Sequence, residues 1–109
     1  MGPKERTHMN PLNSTQRKFL RSRAHPLEPA VLVGKQGITD TLVRAASQSL
    51  EAHELVKIRF NEFKEEKKAL AEEVAFRTGS QIVGMVGHVV ILFKYQADDE
   101  KRKIELPVK

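Results

Sequence analysis

The sequence has no cysteine, no tryptophan and a single tyrosine among its 109 residues. Without cysteine it cannot build a disulfide scaffold, a thiolate zinc site, an iron–sulfur cluster or a cysteine nucleophile. That absence fits a reducing compartment, and the cytoplasm is the expected location. Long apolar runs are missing as well. The longest, Val89 to Phe93, falls far short of the roughly 20 residues a membrane helix needs. The first eleven residues are polar and proline-containing, unlike a signal peptide. The length suits one domain with one core and is too short for two enzyme-sized domains.

What the chain does have is positive charge, unevenly spread. The formal net charge is +5, and residues 1–60 carry all of it, with ten Lys/Arg against five Asp/Glu; residues 61–109 hold nine of each. A one-sided basic surface suits a polyanion such as nucleic acid. Residues 1–8 read as an expression leader and are set aside, leaving 9–109 as a single domain. Removing them leaves the bias in place.

The chain order predicts α-β-α-β-α-β-β. A helix is expected from about Ser14 to Ala24, capped by Asn13 or Ser14 and ended by Pro26 and Pro29. Phe19, Leu20 and Ala24 supply its apolar side, and Arg17, Lys18 and Arg21 share the opposite side. Ala30 to Val33 reads as a short strand buried on both faces. A second helix, from Thr39 or Asp40 to about Ala52, has one apolar stripe through Ile38, Leu42, Ala46 and Leu50. Leu55 to Phe60 alternates, with Val56, Ile58 and Phe60 inward and Lys57 and Arg59 on a basic outer face. A third helix is expected over about Lys64 to Thr78, with Phe63, Leu70, Val74 and Phe76 toward the core and Gly79 as its C-terminal cap.

Gln81 to Val86 and Val89 to Tyr95 read as a hairpin joined at Gly87-His88. Asp98 to Lys103 reads as a mobile charged segment, and Ile104 to Leu106 as an edge strand or a trailing end. The fold class is α/β (α+β): a four-stranded mixed sheet packed with helices. The first strands should pair in parallel through right-handed crossovers, and the hairpin should add an antiparallel pair.

The segment richest in chemistry is Gly34-Lys35-Gln36-Gly37, between a strand and a helix start. Its glycines let a backbone come close, the helix start carries partial positive charge, and Lys35 adds a full one. This arrangement suits a phosphodiester; a GxxG loop clamping nucleic-acid backbone is also the device of KH domains. A plain tight turn is the bland alternative. The spacing is neither a Walker A loop nor a dinucleotide fingerprint. His25 and His53 each follow a helix, where a histidine serves as a dipole-compatible cap or contacts a base or phosphate. The four histidines lack metal-ligand spacing, no serine sits in a nucleophile elbow, and no catalytic carboxylate pair stands out. The chain therefore reads as no enzyme, with no cofactor and no metal. Aromatic residues are few, leaving Tyr95 as the one candidate stacking platform.

The run of motifs Ala24-His25-Pro26-Leu27, Val33 to Thr39, His53 to Ile58, Thr78-Gly79 and Val86-Gly87 resembles the CRM domain (chloroplast RNA splicing and ribosome maturation). Within it, the chain is similar to the single-domain bacterial YhbY family. The resemblance covers about residues 12–107. It implies a fold similar to the C-terminal domain of translation initiation factor three, RNA binding without a cofactor, and association with precursors of the large ribosomal subunit. The family's GxxG loop falls on Gly34 to Gly37, and its basic helix on Arg17, Lys18 and Arg21. Where the family often has Leu-Tyr-Arg near the last strand, this chain has Leu92-Phe93-Lys94.

The residues point to a grip on RNA backbone, and the resemblance implies a cytoplasmic ribosome-assembly factor. The expected contacts are Gly34, Lys35, Gln36, Gly37, Arg17, Lys18, Arg21, His25, Lys57, Arg59 and Lys94. The expected partners are ribosomal RNA and the large-subunit precursor, with no membrane and no small-molecule substrate. The absence of a long apolar heptad favours a monomer. The alternatives are a KH-like reader of single-stranded RNA and a protein–protein adaptor docking through the apolar hairpin.

Overall fold

A computed structural model of the chain describes residues 11–107; the leader expected at residues 1–8 lies outside them. Within them the order is α1 (Ser14–Ala24), β1 (Val31–Val33), α2 (Asp40–His53), β2 (Leu55–Phe60), α3 (Lys67–Thr78), β3 (Gln81–Val86) and β4 (Val89–Phe93). Local chemistry sets the helix ends. Asn13 caps α1: its side chain accepts from Gln16 N–H at 2.8 Å, and the Gln16 side chain accepts from Asn13 N–H at 3.1 Å. This reciprocal pair satisfies two orphan donors of the first turn. Thr39 Oγ1 caps α2 by accepting from Leu42 N–H at 3.0 Å. Gly79 closes α3 in the left-handed region, φ 73°, where a side chain is strained and glycine is not.

The third helix differs from its sequence expectation in two ways. Phe63 adopts a left-handed backbone and Lys64–Glu66 forms a 3-10 turn, so α3 starts at Lys67. Its core side is Ala71, Val74, Ala75 and Thr78, and Phe76 is 88 % exposed. Small residues let the helix lie close to the sheet, which turns Phe76 away from it.

The sheet order is β1-β2-β4-β3. β1 and β2 pair in parallel, and β4 is antiparallel to both β2 and β3. The expected parallel pairing holds for β1 and β2 alone. β4 inserts between β2 and β3, which run in the same direction without touching. A bulge between Ile82 and Gly84 lets both Val83 and Gly84 face the same side.

Each sheet face carries its own core. Val31, Val33, Val56, Ile58, Phe60, Val90 and Leu92 meet Ala46 and Leu50 of α2 and Ala71, Val74 and Ala75 of α3. On the other face, Leu55, Val83, Ile91 and Phe93 meet Leu20 and Ala24 of α1, with Leu12 and Ile104. β1 is an edge strand open on this second side, so Leu32 is 56 % exposed rather than buried on both faces.

The segment after β4 packs instead of forming a strand. Glu54, the single residue between α2 and β2, is buried with φ 67°. Its carboxylate accepts from Gln96 N–H at 2.8 Å, Lys103 N–H at 2.7 Å and Ile104 N–H at 2.9 Å. The charged run from Asp98 to Lys103 thus contains a 3-10 turn, Asp99–Lys101, and is fastened at both ends.

Candidate nucleic-acid interface

Three connections meet at one end of the sheet. The turn Gly34–Gly37 leaves the end of β1, closed by Gly37 N–H donating to Gly34 O at 3.0 Å. The segment after β2 folds back on it, with Asn61 and Glu62 N–H both donating to Val33 O. The β3–β4 hairpin tip joins them, since Phe60 N–H donates to His88 O at 2.8 Å. Gly37 has φ 72°, while a methyl group at Gly34 would meet nothing within 4 Å. The loop is therefore open at Gly34 and backed at Gly37 by the Phe63 ring, whose Cε2 would lie 3.5 Å from such a methyl. Gly37 N–H is used within the turn. Among the described residues, Lys35 and Gln36 have no hydrogen-bond partner and are exposed.

Cations gather at this end. Partial desolvation first, then the charges of Lys67, Lys64 and Arg59, push the His88 imidazole below its ordinary range. Lys67 Nζ donates to Gly87 O and lies 3.2 Å from His88 Nδ1. Asp40, the acid at the start of α2, is matched by Arg77 at 2.6 Å. That pairing offsets part of the Asp40 charge beside the loop.

The sheet face away from α2 and α3 continues this surface. By register, the row nearest the loop reads Leu32, Arg59, Val89 and Val86 across the four strands. α1 covers the other end of this face, through Leu20 and Ala24 on Leu55, Val83, Ile91 and Phe93. The row near the loop stays open, with Arg59 exposed and Val86 61 % exposed. Arg21 borders it from α1: its Cδ would lie 3.2 Å from a methyl group on Gly84.

Sequence reasoning placed eleven residues in the interface, and the structure divides them. Gly34, Lys35, Gln36, Gly37, Arg59 and Arg21 lie on or beside the open surface. Lys18 and His25 are exposed on α1 and just after it. Arg17 lies on the flank of α1, where its guanidinium donates to Leu12 O. Lys57 Nζ donates to His25 O and Leu27 O, both at 3.0 Å, and braces the turn after α1. Lys94 is not part of the group. It lies at the opposite end of the sheet, with Nζ at the C-terminal cap of α3 beside Gly79. Phe93 is fully buried, so the departure at Leu92-Phe93-Lys94 falls away from the open surface. Tyr95 is also remote: its ring packs edge-on against Phe93 and beneath the Arg102 guanidinium.

Lys64, Lys67, His88 and Phe63 join the site without having been expected there. The parallel pairing of β1 with β2 brings Lys64 and Lys67 beside the loop, and the pairing of β2 with β4 brings His88. A concavity of about 440 Å³ between the ends of α1 and α2, lined by Arg23, Leu27, His53 and Lys103, lies at the far end. Among the described residues, no cluster of three or more His, Asp or Glu could hold a metal ion. No helix among them is long and apolar enough to cross a membrane.

The order of these elements and motifs matches a known domain. The model of the CRS1/YhbY (CRM) domain matches residues 12–94. The chain belongs to the CRM domain family. Among curated CRM-like relatives, YqeI of Bacillus subtilis is 37 % identical over 97 residues, 88 % of this chain and 99 % of that protein. A Haemophilus influenzae protein is 30 % identical over 102 residues, 93 % of this chain and all of its own length. MJ0652 of Methanocaldococcus jannaschii is 32 % identical and spans 86 % of this chain. All three carry RNA binding in their names. The solution structure of SAV1595 from Staphylococcus aureus superposes with a TM-score of 0.73 at 32 % identity, covering 88 % of this chain and 99 % of that one. The fold is thus shared over most of the chain, and neither the family description nor these names indicates catalysis.

Proposed function

We propose that this CRM domain binds RNA through the open end of its sheet. The observation that carries the reading is the exposed Gly34–Gly37 turn beside Arg59 and Arg21, with Lys64, Lys67 and His88 at the same end. The turn presents unpartnered amides and Lys35 to one phosphate, while the surrounding cations follow the backbone on either side. The names of the relatives support RNA as the polyanion. We further propose that the RNA is ribosomal and that the domain serves large-subunit assembly in the cytoplasm. The family resemblance supports this finer step.

Binding of this kind is electrostatic. For single-stranded RNA, log K should fall against log salt with a slope of about −0.7 per phosphate neutralised. Gly34→Asp tests the loop better than Gly37→Asp, because Gly37 has a positive φ and Gly34 has open space. Gly34→Asp should keep the thermal unfolding midpoint and weaken RNA binding at low salt by tenfold or more. Wild-type affinity in Gly34→Asp, or a flat salt response, would reject the loop as a phosphate site. A sucrose gradient of lysate tests the ribosomal step. Sedimentation with large-subunit particles, released as salt rises, is expected; protein confined to the top of the gradient argues against it.

The adaptor reading draws on Leu32 and Val86, two exposed aliphatic residues on the same open row. Retention of a protein partner after nuclease treatment would favour it.

A further inference from the structure

Phe63 holds a left-handed backbone, φ 57° and ψ 39°, in a segment without glycine. A bulky residue in this region is a conformational outlier. Asparagine or glycine would hold the same turn with less strain, and Asn61 stands only two positions away. The strained position delivers a ring to a particular place. It rests on Gly37, at the back of the Gly34–Gly37 turn, and remains 40 % exposed. Beside it lies an open concavity of about 420 Å³ lined by residues 61–66.

The charges around this concavity differ from those on the open sheet face. Glu62, Glu65 and Glu66 line it together with Lys64, and carboxylates repel a phosphate. They do accept hydrogen bonds from the exocyclic amino groups of cytosine, adenine and guanine. An aromatic ring set in an acidic hollow, in contact with the Gly34–Gly37 turn, matches a base rather than a backbone.

We propose that Phe63 is a stacking platform for an unpaired nucleobase, next to the RNA backbone turn held at Gly34–Gly37, and that the surrounding carboxylates favour bases bearing an exocyclic amine. This inference rests on the RNA-binding reading above and narrows it. The RNA must offer a loop, bulge or single strand at this point, because a continuous duplex keeps its base faces stacked on one another.

The chain has no tryptophan, so Phe63→Trp introduces a sole indole reporter at the platform. Its emission should be quenched by short oligo-A and oligo-C, less by oligo-U, and not by a long blunt duplex. In parallel, Phe63→Leu should lower affinity for oligo-A about tenfold and affinity for duplex by much less, while Phe63→Tyr keeps both. The reporter keeps the test decisive if Phe63→Leu proves less stable. Equal loss of single-strand and duplex binding in Phe63→Leu would overturn the platform and leave Phe63 as packing for Gly37. Equal quenching by oligo-A, oligo-C and oligo-U would overturn the amino-group preference. Failure of the unaltered protein to bind any of these RNAs at low salt would overturn the RNA-binding reading itself.

Discussion

A carboxylate removed from water is costly unless its oxygens find donors. Glu54 finds three, the amides of Gln96, Lys103 and Ile104, and so fixes where the chain runs after β4. Glu54→Ala strands those amides in a partly buried setting, and a destabilisation of about 3 kcal/mol is expected. Urea unfolding measures it; a loss within experimental error would mean that water takes over the carboxylate's role. The sequence held a faint sign of this residue. Only His53 and Glu54 separate the expected helix end from the expected strand, with no glycine between them; in the structure Glu54 alone makes the link, with φ 67°. Phe76 shows the opposite difficulty. It is apolar and in a helix, yet Ala71 and Ala75 make the close contact and leave it in solvent. Apolar character alone does not say which stripe of a helix faces inward.

At the scale of elements, caps and prolines made the helices legible. Asn13 or Ser14, Thr39 or Asp40, and Gly79 each mark an end by chemistry confined to a few residues, and the structure selects Asn13 and Thr39. The alternation of Leu55 to Phe60 likewise gave the two faces of β2. The position of α1 was not legible, because it depends on which strands lie beneath it. α1 covers only part of the outer face and thereby separates two groups of cations that look alike in the sequence. Arg59 lies on the open row, and Lys94 lies beyond the far end. Arg59→Ala should weaken RNA binding and reduce the salt slope by about 0.7, one phosphate contact. Lys94→Ala should change neither. Filter binding across a salt series separates them, and an equal effect from both would place the RNA across the whole molecule rather than at one end.

The molecule as a whole is held by contacts between parts of the chain far apart in sequence. Leu12 N–H donates to the Gln81 side chain, and the Gln16 side chain donates to Pro107 O across 91 positions of sequence. Pairings of this separation leave no local signal, which is why strand order stayed hidden while nearly every element was visible. A chain ending at Lys94 lacks the amides that satisfy Glu54, the Ile104 side chain in the outer core, and the acceptor for Gln16. It should lose its sharp calorimetric transition and gain fast amide exchange in α1 as well as in the sheet. Retained protection in α1 would show that the helix docks without the C-terminal segment.

The insertion of β4 between β2 and β3 also orders events during synthesis. Translation delivers the central partner strand last of the four, so β2 and β3 leave the exit tunnel with edges that nothing yet covers. The first helix to emerge waits as well, since the surface it packs on includes both strands of the final hairpin. A nascent chain of this fold keeps its apolar faces open until β4 is outside the tunnel.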